Sequence, residues 1–212
     1  MKTMFVRPLT RPSLRPRRLR AAILAPAMLL ALSGCLSLGP KVPDQLINFT
    51  PREVAAPGAS SEGAVTDAIF VFEPEVEDRL DVNRVPVQID ATSVAYLENA
   101  TYVDRPSRLF QHLVAETLRA RRGGLVVEGE DPGINVRTRL YGRLVEAGYD
   151  ARTSSVTVTY DAVAVAPDGT MRQRRFGSTI PGIAAEAAAV APAMNEAANN
   201  VAGEVSSWLI GR

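Results

Sequence analysis

The chain has one cysteine, one histidine and one tryptophan in 212 residues. A single cysteine cannot close a disulfide within one copy of the chain. A single histidine excludes a histidine-rich metal site. It also makes His112 the only base available to a Ser–His–acid triad. His112 lies in a helical stripe beside Leu109 and Leu113, and no Gly-x-Ser-x-Gly motif accompanies it. A surface or helix-boundary histidine is the plainer account. Gly123-Gly124 lacks the following glycine, lysine and hydroxyl of a phosphate loop. Beyond residue 35 no apolar run reaches the roughly 18 residues that a membrane-crossing helix needs. No catalytic constellation and no metal site is expected.

Acidic residues are missing from the start of the chain. Residues 1–34 hold Lys2, Arg7, Arg11, Arg15, Arg17, Arg18 and Arg20 and no acid, then an apolar run from Ala21 to Leu32. That run is too short for an ordinary spanning helix, and Pro26 interrupts it. A basic region, a short apolar region and small residues before a cut describe a signal peptide, assigned here to residues 1–34. The cut falls within Leu32-Ser33-Gly34-Cys35. This resembles a bacterial lipobox, in which the cysteine thiol takes a diacylglycerol and the new N-terminus an acyl chain. A thiol suits that transfer because it is the best nucleophile among ordinary side chains near neutral pH. Several acyl chains anchor well where one is marginal. Cys35 is therefore the expected lipidation site and membrane contact, with no other cofactor. Leu36 follows it rather than the aspartate that commonly retains a lipoprotein in the inner membrane, so an outer-membrane destination is expected.

Seven of the 24 basic residues belong to the leader, leaving 17 against 23 acids. An acidic mature chain argues against a nucleic-acid partner. Residues 35–67 read as the lipidated N-terminus and a lead-in rich in Pro, Gly, Ser and Ala, with a short edge-strand candidate at Leu46-Ile47-Asn48-Phe49. The folded domain is assigned to residues 68–212. It starts with a dense apolar strand, Ala68 to Phe72. Strands follow at Val85–Asp90, with Pro86 near its start, and at Ser93–Leu97. A helix opens at Pro106 or Ser107, carries the stripe Leu109, Phe110, Leu113, Val114, Leu118, and stops at Gly123-Gly124. Leu125–Glu128 is a short strand. Ile134–Glu146 alternates imperfectly, whereas Ser155–Ala166 places Val156, Val158, Tyr160, Ala162 and Ala164 on one phase. Pro167-Asp168-Gly169-Thr170 turns the chain into a returning strand, Met171–Ser178. A last helix lies within Ala184–Leu209, with Pro192 kinking it or marking a first turn. The expected fold class is α/β (α+β-like). It has two layers: a mixed, largely antiparallel sheet with two main helices on one face.

Charged clusters have plain readings. Glu73, Glu75, Glu77, Asp78 and Asp81 lack calcium-loop spacing and read as a solvated turn, as does Glu128-Gly129-Glu130-Asp131. Arg172-Gln173-Arg174-Arg175 is the one basic run of the mature chain. It is either a charged edge strand that resists aggregation or a contact for an acidic partner or lipid headgroups, through Arg172 and Arg174.

A resemblance enters through Leu-Ser-Gly-Cys35, Val85-Pro86-Val87-Gln88-Ile89, the stretch Val94 to Pro106 running into Leu109-Phe110, and the ending Val205-Ser206-Ser207-Trp208-Leu209. Together they resemble the ABC-type transport auxiliary lipoprotein family. The family's pattern puts a tryptophan between its tyrosine-rich stretch and its proline-started helix, and this chain has none there. The segment Gln45-Leu46-Ile47-Asn48-Phe49 stands where a tyrosine-containing one is usual. The resemblance implies a noncatalytic, periplasm-facing subunit working with an MCE-domain protein, a permease and an ATPase. Such systems are thought to move phospholipids or related lipids between membranes. It also implies interface or groove roles for Tyr96, Tyr102 and Phe110, since aromatic side chains contribute strongly at interfaces, against the plainer account that they are ordinary core and rim residues. An outer-membrane assembly or structural lipoprotein and a stand-alone lipid-binding carrier are the alternatives. The carrier would need an apolar cavity of roughly 300–1,000 Å³.

Overall fold

The computed structural model describes residues 46–129 and 138–211. After a short 3-10 turn, Val65–Asp67, come β1 (Ile69–Val71), β2 (Arg84–Gln88) and β3 (Val94–Thr101). Then follow α1 (Pro106–Arg122), β4 (Val126–Glu128), β5 (Thr138–Asp150), β6 (Ser155–Val165), β7 (Met171–Pro181) and α2 (Ala187–Ile210). The expected elements are present, and β3 runs four residues beyond Leu97, to Thr101. Ile134 to Arg137, the start assigned to the fifth strand, lies outside the described residues.

All seven strands form one sheet organised around β5. One edge of β5 is divided. Its start takes β1 in parallel (Ile69 beside Thr138) and its end takes β2 in parallel (Val87 beside Tyr149). β4 then flanks β1, and β3 flanks β2. The other edge carries the antiparallel meander β5–β6–β7. The sheet is therefore mixed and largely antiparallel, as expected. A register shift between Leu144 and Glu146 explains the imperfect alternation of β5. Before it Leu140 and Leu144 are buried; after it Ala147 and Tyr149 are. One extra residue moves the buried phase from even to odd positions.

Both helices lie on the same face. Tyr160 of β6 and Phe176 of β7 are direct cross-strand partners and so share a face. The ring of Phe110 in α1 meets Tyr160 with centroids 5.0 Å apart, and that of Trp208 in α2 meets Phe176 edge-on at 5.5 Å. The core between the layers holds Leu113, Val114 and Leu118 from α1 and Val190, Met194, Val201 and Val205 from α2. Pro106 occupies the first turn of α1, and Gly123 ends it at φ 65° with its N–H on Arg119 O. α2 continues through Pro192. Gly142 is required by contact: a Cβ there would collide with the Asp161 carbonyl oxygen and the Tyr160 ring.

The packed body reaches back before Ala68. Ile47 and Phe49 are buried in the main core, and Ile47 bridges Tyr102 in parallel. The stretch from Thr50 to Ala55 then crosses the outer side of both helices. Asn195 Oδ1 accepts from Thr50 N–H, and Asn199 Oδ1 from Arg52 N–H at 2.7 Å. Asn199 Nδ2 donates to Thr50 O, and Glu116 accepts from Ala55 N–H. Arg121 forms a two-pronged pair with Glu53 and also donates to Gly203 O and Ser207 Oγ. The Arg121 hydrogen bonds, and then its charge, hold the Glu53 carboxyl below the usual carboxylate range. A Pro/Gly/Ser-rich composition does not reveal this strap, because its partners stand some 60 to 150 residues away in sequence. Asn199→Ala should cost about 1–3 kcal/mol in urea unfolding, because it strands the Arg52 N–H and the Thr50 carbonyl together. Hydrogen exchange over residues 50–55 should accelerate in the same variant.

Candidate partner-binding surface

The residues singled out from the sequence do not converge. Cys35 lies outside the described residues. Tyr96 sits half-buried on β3, its ring under the Arg84 guanidinium at 4.5 Å and its hydroxyl donating to Arg79 O at 3.4 Å. Arg172 and Arg174 are exposed on β7. The order β3-β2-β5, continued by β6 and β7, puts Tyr96 and the two arginines at opposite margins of the sheet. No single contact joins them.

Tyr102 and Phe110 are corrections to the interface expectation. Tyr102 is 1% exposed and Phe110 is fully buried. Tyr102 packs edge-on against Phe49 at 5.7 Å, its hydroxyl has no hydrogen-bond partner, and burial holds its phenol well above the ordinary tyrosine range. Both are core residues, because the strap covers Tyr102 and the sheet covers Phe110. The apolar helical stripe anticipates the burial of Phe110, whereas nothing local anticipates the cover over Tyr102.

His112 is exposed, with Nδ1 3.3 Å from Glu128. Three of the five acids of the turn are tied down: Glu73 accepts from Ser107 Oγ, Glu77 pairs with Arg79, and Asp81 pairs with Arg105. Among the described residues no three His, Cys, Asp or Glu side chains could share a metal ion. Glu146 is the one carboxyl held above the ordinary range among the shifted groups, and burial is the leading cause. Its folded pKa exceeds its unfolded one. Ionisation therefore costs stability as pH rises through that interval, and the cost persists above it. Glu146→Gln should raise stability at pH 7, with the gain fading toward pH 4. Urea melts at the two pH values check this.

Two hollows open on the surface. One, of about 680 Å³, lies where the strap, α2 and β7 meet and is lined by Arg52, Arg121, Arg174, Asn199, Asn200 and Trp208 among others. The other, about 830 Å³, is lined by the Phe72–Tyr141 ring stack together with Glu73, Glu75, Arg143 and Asp161. Charged and polar side chains dominate the first lining, which suits polar or peptide groups better than an acyl chain, whereas the second is about evenly shared between polar and apolar surface. Sequence reasoning reached only Arg174 of the first hollow. The helix asparagines and Arg52 carried no local signal. No helix among the described residues is long and apolar enough to cross a membrane.

The described residues form a two-layer domain with two surface hollows and a basic edge strand. Residues 51–206 match the ABC-type transport auxiliary lipoprotein component family, and the chain belongs to that family. No curated protein matches it in sequence. In fold it is similar to protein XCC0632 from Xanthomonas campestris, at a TM-score of 0.62 and 18% identity over 78% of this chain and 95% of that one. It is also similar to an uncharacterized protein at TM-score 0.52 and 14% identity, covering 69% of this chain and 96% of the other. The PelC dodecamer from Paraburkholderia phytofirmans aligns at TM-score 0.41 and 15% identity, over 72% of this chain and 94% of its own.

Proposed function

We propose that this protein is the noncatalytic, periplasm-facing accessory subunit of an MCE-type ABC system that moves phospholipids or related lipids between the inner and outer membranes. The family match over residues 51–206 carries the reading. ATP hydrolysis belongs to a separate ATPase, and an MCE-domain protein with its permease is the direct partner. Diacylglycerol and an N-acyl chain on Cys35 tether the domain, and Leu36 in place of aspartate favours the outer membrane. The polar lining of the hollow beside Trp208 supports docking over carriage of a lipid by this domain alone.

Crosslinking the lipidated protein in intact envelopes, followed by pull-down and mass spectrometry, tests this. Recovery of an MCE-domain protein with its permease and ATPase is expected. Recovery of outer-membrane assembly proteins alone would replace the transport role with a structural one. Co-purification of stoichiometric phospholipid without any protein partner would make the chain a carrier.

A further inference from the structure

We propose that the free edge of β7 is a docking site for an extended, acidic segment of a partner protein, which adds to the sheet as an eighth strand. Ala166 N–H bonds Thr170 O at 2.8 Å, and β6 and β7 then stay in register from Val165–Met171 to Ser155–Pro181 with no shift. Antiparallel pairs alternate between bonded and non-bonded. Counting from that first bonded pair, Arg172, Arg174, Phe176, Ser178 and Ile180 turn their N–H and C=O toward β6. Met171, Gln173, Arg175, Gly177 and Thr179 turn theirs outward. Pro181, which has no N–H, falls on the outward phase, as a proline at a sheet edge should. Among the described residues no strand pairs with this edge.

Exposed edges are normally protected by bulges, interior prolines or solvated charges. β7 has no bulge, and its proline comes only at the end. Its arginines engage groups on the two faces of the sheet. Arg172 lies over the Trp208 ring and Arg174 over Phe176, each at 4.9 Å. Arg175 is clamped on Asp161 by two bonds of 2.6 Å. An incoming strand therefore meets an open row of amides and carbonyls.

The same geometry sets the partner's chemistry. Alternate side chains of an added strand point to the helix side, where Arg172, Arg174 and the hollow beside Trp208 lie. Neither arginine has a carboxylate within ion-pair distance among the described residues, and stacking on a ring fixes each guanidinium while leaving its N–H donors free. Carboxylates at every second position of the partner segment supply the complement. Main-chain bonds would give affinity and the arginines selectivity, the division found in strand-addition complexes.

The test uses full-length protein in living cells. A photo-crosslinking amino acid replaces Gln173, and in a control it replaces Thr153 in the exposed β5–β6 turn. Crosslinked peptides are sequenced by mass spectrometry. The expected product, formed from position 173 and not 153, is a segment of another protein with acidic residues at alternate positions. Its yield should fall roughly tenfold or more in R172E/R174E, since like charges then face each other. If that variant melts early, R172Q/R174Q removes the charge without reversal and should still lower the yield. Crosslinks to a second copy of the chain, to lipid only, to a non-acidic segment, or at equal yield in the variants would overturn the proposal. Recovery of transporter subunits without a crosslink at position 173 would remove this surface and leave the transport reading standing.

Discussion

Cys35→Ala should abolish incorporation of labelled palmitate into the protein and remove the mature, triacylated species from membrane fractions. The physical reason is that anchoring strength grows by about 0.8 kcal/mol per buried CH₂, so losing every chain removes far more than any side-chain contact could restore. No helix among the described residues offers a substitute anchor. Intact mass measurement of the wild type should give a chain beginning at residue 35 with its acyl groups. Retention of label in the variant, or a mature N-terminus elsewhere, would remove the lipobox assignment. Sucrose-gradient separation of wild-type membranes gives the destination in the same experiment: mature protein in the inner-membrane fraction would overturn the outer-membrane proposal.

The second large effect is expected in the core. Phe110→Ala should destabilise the domain by about 3–5 kcal/mol in equilibrium urea unfolding, the usual cost of removing a buried aromatic ring. Phe110 is fully buried, packs on Tyr160 from α1, and belongs to the single core cluster that joins both helices to the sheet. Truncation leaves a cavity whose walls are held by the strands, so little collapse can offset it. The measurement also separates the two roles considered for this residue. An interface side chain would lose partner binding with little change in stability. A core side chain loses stability first, and its binding defect follows the fraction unfolded. Arg172 and Arg174 should behave in the opposite way, because both are exposed.

Much of the architecture was legible because its signals are local. The period-two run Val156, Val158, Tyr160, Ala162, Ala164 is buried at every position. The opening proline and closing Gly123 bound α1 within a residue of expectation. The element order and the hairpin after Val165 were likewise written in turn residues and hydrophobic period. β5 was only half legible, because its bulge moves the buried phase midway. The candidate site was less legible still. Arg172 and Arg174 could be placed on one face of a strand. Arg174 stacks on Phe176 two residues along the same strand, but that Arg172 lies on Trp208 depends on a helix more than 30 residues later.

The sequence by itself supported the expectation of a leader cut before Cys35, and it determined the acidic balance beyond residue 34, the kinds of elements and the resemblance to the family. Each depends on neighbours in the chain or on composition. The tertiary structure alone decided that the lead-in is a strap, that Tyr102 is covered, and that Tyr96 lies across the sheet from the arginines. It also decided that no strand among the described residues pairs with the outer edge of β7. Those facts depend on which distant segments cover which surfaces. The strap's Asn199 and the edge's missing neighbour are relations between residues far apart in sequence, and a one-dimensional pattern holds no trace of the contact that hides one side chain and leaves another free.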